Sequence, residues 1–348
     1  MYRTMIFLKN ILLSNFNMLD FPYILNFAVT YRCNLKCKMC NIWKQKCNNE
    51  LELSEIDKIF QNQSNFSWIR LTGGEIFLRD DIVEIVDIIS SYNKDLFLLT
   101  TPTNGYCKNL IIKKVKEIMD LNIPKYIITV SLDGTEEIHD FIRGTKGSWR
   151  NCVNTYKELK RFSENESRLE VYFGYTISPY NVGYFEKTLL SLKKEIPEIT
   201  IKDFHFNLFH TSKNYYFNYN KKYKFYYPSL RREIKRLSYL YNTTTNPISI
   251  IEKKYLSLIP QYLQNEKLPL QCKAIQSSIF LDPKGNLYPC TIFNNKIGNV
   301  RDFGYDLRKT LRSDKSVKYA IDRKLCSGCW TPCEAHQAIL GNLFKIRT

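Results

Sequence analysis

The chain has 348 residues, enough for one large core with a small appended unit. It carries 51 Lys and Arg against 34 Asp and Glu, a formal net charge of +17, which suits an anionic substrate, a membrane surface or an acidic protein partner. Neither number speaks to fold, and neither an internal repeat nor a long low-complexity linker interrupts the chain.

The N-terminus, Met5-Ile6-Phe7-Leu8-Lys9-Asn10-Ile11-Leu12-Leu13, is apolar but broken by Lys9 and Asn10. It lacks a small-residue cleavage site and is too short to span a bilayer. Residues 1–19 therefore read as an amphipathic helix, packed on the body of the protein in preference to peripheral contact with a membrane. Ile24 to Thr30 is a short buried strand. A helix follows from Ser54 to Gln63, with Ser54 as its cap and Asp57 three residues on. Trp68 to Leu71 is a second strand and Asp81 to Ser91 a second helix. The pattern then repeats: strand Asp95 to Thr100, helix Lys108 to Leu121, strand Tyr126 to Ser131, helix Ser148 to Phe162, strand Leu169 to Ile177, helix Tyr184 to Lys194 and strand Ile199 to Leu208. Strands separated by helices of this length mean right-handed βαβ units and a parallel sheet.

The strand ends carry the chemistry. After the first comes Cys33-Asn-Leu-Lys-Cys37-Lys-Met-Cys40. This CxxxCxxC loop supplies three thiolates and no fourth, whereas a closed zinc site wants four ligands. A 4Fe–4S cluster held by three cysteines keeps one iron open to a ligand. A zinc loop or unrelated thiols are the alternative on spacing alone. After the second strand comes Thr72-Gly73-Gly74-Glu75, where glycines let backbone approach a ligand closely. After the third stands Thr103-Asn104-Gly105. After the fourth stands Ser131-Leu132-Asp133-Gly134, followed by His139-Asp140-x-x-Arg143-Gly144.

In that order these stretches resemble the radical S-adenosylmethionine (SAM) enzymes. The resemblance implies an α/β fold, a partial (β/α)6 TIM barrel over residues 20–210. It implies a SAM-binding 4Fe–4S cluster on Cys33, Cys37 and Cys40. Gly73, Gly74 and Glu75 would grip the amino group of SAM. Asn104 stands in the family's third-strand element, Ser131 and Asp133 would lie near the ribose, and Arg143 would reach the carboxylate, a task its planar fork suits. His139 reads as a structural, hydrogen-bonded residue.

Beyond the barrel, residues 211–265 form a helical connector, Ser229 to Tyr241 and Pro247 to Gln264. Aromatics crowd its approach: Phe204, Phe206 and Phe209, Tyr215-Tyr216-Phe217, and Tyr226-Tyr227. With lysines between them they could stack single-stranded nucleic acid. Tyr, Phe, Asn, Ile and Lys are inflated along the whole chain, so coding bias is the better reading and no nucleic-acid partner is expected.

Residues 266–348 hold the second cysteine group. Cys272 and Cys290 flank a hairpin that turns at Asp282 to Asn286, and Cys326-Ser-Gly-Cys329-Trp-Thr-Pro-Cys333 follows. The arrangement resembles the SPASM/twitch extension of radical SAM enzymes, which binds auxiliary 4Fe–4S clusters. A full set has seven cysteines; these five complete one cluster and not two. Cys272, Cys290, Cys326 and Cys329 are the best four, with Cys333 able to replace one. A zinc ribbon would use the same thiolates. Cys47, Cys107 and Cys152 are left as ordinary thiols.

The resemblance implies reductive cleavage of SAM, with an electron from a ferredoxin or flavodoxin, to a 5′-deoxyadenosyl radical that abstracts hydrogen from substrate. The auxiliary cluster would conduct electrons. The substrate is a small molecule or a peptide: an oxidoreductase of unassigned substrate is the first expectation, a maturase of ribosomally made peptides the second, and a non-catalytic zinc ribbon module the third. Only about twenty residues precede the first strand, which tilts against a fused peptide-recognition domain. Labile clusters and the absence of a secretory signal imply a cytoplasmic protein.

Overall fold

The computed structural model describes residues 1–220, 227–241, 247–265, 267–313, 326 and 328–344. Six strands alternate with helices. They are β1 (Ile24–Thr30), β2 (Trp68–Gly73), β3 (Leu98–Thr103), β4 (Lys125–Ser131), β5 (Leu169–Ile177) and β6 (Phe204–Leu208). All pair in parallel, each with its sequence neighbour. The helices between them are α2 (Leu53–Asn62), α3 (Ile82–Tyr92), α4 (Lys108–Met119), α5 (Glu136–Arg143), α6 (Ser148–Ser163) and α7 (Phe185–Lys193). This is the parallel βα array of a partial barrel.

Each helix docks through an apolar stripe at helical spacing. In α3, Ile82, Ile85, Val86 and Ile89 are all fully buried. Burying each such side chain contributes about 1.5–3 kcal/mol as an upper bound. The strands bury the matching face. Along β5, Val171, Phe173, Tyr175 and Ile177 are buried while Glu170, Tyr172, Gly174 and Thr176 are half-exposed. The same alternation leaves Thr129 and Ser131 on β4, and His205 and Asn207 on β6, accessible on the concave side. Pro102 of β3 is exposed there too. The helical side of the sheet is dry and its inner side is polar and open.

Helix α1 (Tyr2–Asn15) closes the opposite end. Phe7 packs at 6.1 Å from Tyr23, 6.3 Å from Trp68 and 5.1 Å from Phe97, three residues at the entrances of β1, β2 and β3. The expected packing of this segment on the barrel is what the structure has, although Tyr2, Met5, Leu8, Leu12 and Phe16 face outward.

Two helices, α8 (Tyr227–Leu240) and α9 (Pro247–Asn265), follow β6. Tyr226, among the aromatics singled out above, lies outside the described residues. Then β7 (Ser278–Leu281) returns beside β1 in parallel, and β8 (Asn286–Tyr288) and β9 (Gly298–Asn299) add antiparallel strands. The cysteine-rich segment thus extends the barrel sheet itself, in the order β6-β5-β4-β3-β2-β1-β7-β8-β9. Asp282 makes the β7–β8 turn, its Oδ1 accepting from Lys284 N (2.9 Å) and Asn286 N (2.8 Å). Two short helices end the chain's described part, α10 (Leu307–Leu311) and α11 (Pro332–Leu340).

Several local expectations shift. The cap of α2 is Glu52, in a capping box with Glu55, not Ser54. A carboxylate caps as well as a hydroxyl, and the pattern offered both. Strand β3 begins at Leu98 and runs on through Pro102, which pairs with Thr129 of β4 on one side only, so no ladder bond is lost. Strand β6 starts at Phe204, because Thr200 and Asp203 form a capping box around a 3-10 turn over Ile201–Asp203. Helices α5 and α11 escaped the sequence reading, being only eight and nine residues long.

Candidate active site

Cys33, Cys37 and Cys40 lie on the loop that leaves β1 at its C-terminal end. All three are partly accessible free thiols. They sit close enough that the charge on one disfavours charge on the next, and burial adds to this. Cys33 is pushed up to about 11 and Cys40 to about 12, mainly by burial. As thiolates they need compensating positive charge, which iron supplies. Ile42 N already donates to Cys40 Sγ (3.4 Å) and Arg143 Nη1 stands 3.9 Å from Cys37 Sγ.

The glycine pair locks this loop against the end of β2. Gly74 N donates to Thr30 O (2.8 Å) and Glu75 N to Arg32 O (2.7 Å). A Cβ on Gly73, which has φ +135°, would stand 2.2 Å from Thr30 O, and one on Gly74 would stand 2.0 Å from Arg32 O. Only glycine allows the strands' ends to approach like this.

Glu75 is buried and its carboxylate is fully engaged. It accepts from Asn104 N (2.7 Å), Thr103 Oγ1 (2.9 Å) and Phe77 N (3.4 Å). Burial nonetheless raises it to about 7. These bonds fasten the ends of β2 and β3 together. Asn104 in turn donates from Nδ2 to Asn34 Oδ1 (2.7 Å), and Asn34 donates to Cys107 Sγ (3.2 Å). Asn34 sits between Cys33 and Cys37, so the third strand end steers the cysteine loop directly. The sequence reading passed over Asn34 and left Cys107 as an ordinary thiol, since no motif marked either.

At the fourth strand end, Asp133 is fully buried. Its Oδ1 accepts from Thr176 N (3.0 Å) and its Oδ2 lies 2.6 Å from Arg143 Nη2. His139 Nδ1 accepts from Asp133 N (3.0 Å), so the imidazole is neutral, and burial holds its basicity well below the usual range. Gly144, at φ +68°, packs on Lys36 O and ends α5 so that Arg143 projects to both Asp133 and Cys37. Ser131 is half-exposed on the inner face, and its carbonyl accepts from Cys152 Sγ (3.1 Å). The residues expected to gather here do gather, although Arg143 spends its fork on Asp133 and Cys37.

The second cysteine group sits beside β1 and β7. Cys329 feels the charges of Cys290 and Cys272, and burial raises Cys290 and Cys329 far above the normal range. Backbone amides point at these sulfurs: Ala274 N at Cys272 (3.4 Å), Phe293 N at Cys290 (3.1 Å) and Gly328 N at Cys326 (3.4 Å). Cys333 has other company. The charges that act on it most are those of Arg70 and Glu334, and its carbonyl accepts from Arg70 Nη1 (2.6 Å). Among the described residues, no group of three or more His, Cys, Asp or Glu side chains is gathered closely enough to hold a metal ion. Ligands of a four-iron cube stand at its corners, whereas ligands of one zinc share a centre.

A cavity of about 230 Å³ is lined by Tyr31, Lys213, Asn214, Phe217, Asp282, Tyr288 and Asn294. Of these, Asn214 donates from Nδ2 to Cys290 O (3.1 Å).

The model of the radical SAM superfamily matches residues 27–192, and that of the iron–sulfur cluster-binding SPASM domain matches residues 272–330. The chain belongs to the radical SAM superfamily. Its C-terminal part carries the iron–sulfur cluster-binding SPASM domain of the same family. It is 26% identical over 304 residues to the antilisterial bacteriocin subtilosin biosynthesis protein AlbA of Bacillus subtilis, covering 84% of this chain and 60% of that one. It is 29% identical over 164 residues to the sporulation killing factor maturation protein SkfB of the same organism, 46% of this chain and 37% of that one. The chain therefore spans 60% and 37% of these relatives' lengths, less than two thirds of either. Among solved structures, Streptococcus suis SuiB bound to precursor peptide SuiA superposes with a TM-score of 0.61 at 16% identity, over 98% of this chain and 77% of SuiB. Native anSMEcpe with bound AdoMet and a peptide gives 0.61 at 14% identity, over 86% and 82%. At such identities the likeness is one of fold.

The radical SAM loop fits a cluster by its chemistry: three partly accessible thiols that need positive charge, a glycine cradle that brings backbone against them, and one amide hydrogen bond to sulfur already in place. In the SPASM segment, amides aimed at Cys272, Cys290 and Cys326 fit the same chemistry.

Proposed function

We propose that this radical SAM enzyme modifies a peptide, with Cys33, Cys37 and Cys40 holding the SAM-binding cluster and Cys272, Cys290, Cys326 and Cys329 holding one auxiliary cluster. When bound, the cluster and SAM supply a 5′-deoxyadenosyl radical that abstracts a hydrogen atom from substrate; the protein aims it and excludes water. Gly73 and Gly74 bring the backbone of β2 against the cysteine loop and offer carbonyls to an ammonium group. Glu75 and Asn104 hold that backbone in place. Arg143 faces Cys37 and offsets its negative charge. Ser131 stands on the accessible inner face, where a nucleoside would lie.

The observation that carries the reading is the inner face itself. A polar, accessible surface from Pro102 through Thr129, Tyr172, Thr176 and Asn207 lies below a three-cysteine loop, sealed at the far end by α1. Similarity to AlbA over most of this chain supports a peptide over a small molecule. A ferredoxin or flavodoxin is the electron donor this chemistry needs, and the basic surface suits an acidic one. Among the described residues no helix is long and apolar enough to cross a membrane. A reducing, cytoplasmic setting suits eleven free cysteines.

The test is co-expression with each short open reading frame flanking the gene, followed by mass spectrometry of the encoded peptides. A peptide lighter by about two mass units per modification, and unchanged when Cys33, Cys37 and Cys40 are Ala, is the expected result. Turnover of a deuterated small molecule with no change in any flanking peptide would return the substrate to the small-molecule class.

A further inference from the structure

Arg70 projects from β2 into the barrel, four residues before Gly74 and so about 13 Å below the cysteine loop. It is 8% exposed. Its guanidinium lies flat on Trp68, 3.8 Å from the ring. Nη1 donates to Cys333 O (2.6 Å) and reaches Asn26 Oδ1 (3.4 Å). Nη2 is buried with no hydrogen-bond partner among the described residues. So are Asn26 Nδ2, opposite it on β1, and Tyr23 Oη.

A buried guanidinium ordinarily has a carboxylate partner, because desolvating an unpaired charge costs several kcal/mol, of order. Among the described residues Arg70 has none within ion-pair distance. The charges that act on it most are those of the Cys333 thiol and of Glu334, and Glu334 is held instead by Thr291 N (3.3 Å) and by Gln337, while burial pushes it up to about 7. Three unsatisfied donors, one of them cationic, therefore lie on β1, just before it, and on β2 at the floor of the barrel. The next strand presents Thr100, half-exposed, at the level of Arg70, so this floor borders the accessible inner face.

We infer that Arg70 and Asn26 form a carboxylate-binding subsite at the floor of the barrel, which anchors the acidic group of a substrate whose reacting carbon lies nearer the cysteine loop. This rests on the inner face being the substrate cleft. The charge is right for one carboxylate. Trp68 covers the guanidinium's face and leaves its edge, and an in-plane pair of oxygens suits an edge. The carboxylate can come from an acidic side chain or from a peptide's C-terminus.

Isothermal titration of the anaerobically reconstituted protein at fixed ionic strength separates the possibilities. The probes are N-acetyl-Ala-Ala with a free C-terminus, N-acetyl-Glu amide with a side-chain carboxylate, and N-acetyl-Ala-Ala amide as the neutral control. At least one acid should bind with roughly millimolar Kd, the neutral amide at least about tenfold more weakly. Which acid binds names the source. Asn26→Leu should weaken that binding about tenfold and Arg70→Gln should abolish it. Asn26→Leu leaves the Arg70–Cys333 bond intact, so it decides the matter if Arg70→Gln does not fold. Acids that bind no better than the amide, or bind both variants as they bind wild type, overturn the subsite. SAM binding by the same preparations reports separately on the radical SAM reading.

Discussion

At the scale of single residues, the cysteine loop depends on contacts that tolerate no substitution. Gly74→Ala places a Cβ 2.0 Å from a backbone carbonyl that cannot step aside, so Arg32 and the loop must move. We expect a loss of about 3 kcal/mol and of most iron bound by Cys33, Cys37 and Cys40. Gly147→Ala is the control. Its φ is +77° but nothing lies within 4 Å, so it should cost about 1 kcal/mol and leave iron content intact. Urea unfolding and iron analysis of both variants check this. Arg143→Gln leaves Asp133 buried without its cation, and should cost about 3–5 kcal/mol by the same measurement. Cysteine variants divide the second group. Cys329→Ser should lose about four irons per chain, whereas Cys333→Ser, whose sulfur keeps company with Arg70, should lose none.

At the scale of elements, the C-terminal segment is fastened to the barrel by polar ties that sequence patterns do not reveal. Arg301 grips Glu55 of α2 at 2.6 and 2.8 Å, and Tyr305 adds a third bond at 3.0 Å. The hydrogen bond from Arg301 is the largest cause holding Glu55 down to about 2. A carboxylate depressed in the folded state contributes stability that is present above its unfolded value of about 4.3 and is lost as pH falls through the folded one. Glu55→Gln should therefore destabilise by about 1 kcal/mol at pH 7, a figure discounted for partial exposure. The difference from wild type should shrink below about pH 4.3 and vanish near 2. Urea titrations at stepped pH measure it, and a difference that persists undiminished at low pH would mean the tie is not ionic.

For the whole molecule, what was legible followed local rules. Alternating runs of apolar residues placed all six barrel strands, because the parallel sheet is buried on its helical face and the first four strand ends each carried a polar motif. The cysteine loop, the glycine pair and the Asp133–Arg143 stretch could be read because their chemistry lies within a few residues. What was not legible is long-range. The addition of β7 to the free edge of β1 depends on pairing across some 250 residues. The link from Asn104 through Asn34 to Cys107 joins residues up to 73 positions apart. Arg70 reads in sequence as one more residue of a strand, and becomes a buried cation only when α11 is brought against β2 from 263 residues away. The hydrogen bonds from Thr103 and Asn104 to Glu75 are long-range in the same way, since the motif alone does not show what β3 brings to its carboxylate.

The most direct test of the account is iron and sulfide content per chain after anaerobic reconstitution, in wild type and in a variant with Ala at Cys33, Cys37 and Cys40. The account predicts about eight irons falling to about four. Wild type with about four and the variant with none, zinc filling Cys272, Cys290, Cys326 and Cys329, would contradict it and leave a radical SAM enzyme without an auxiliary redox centre.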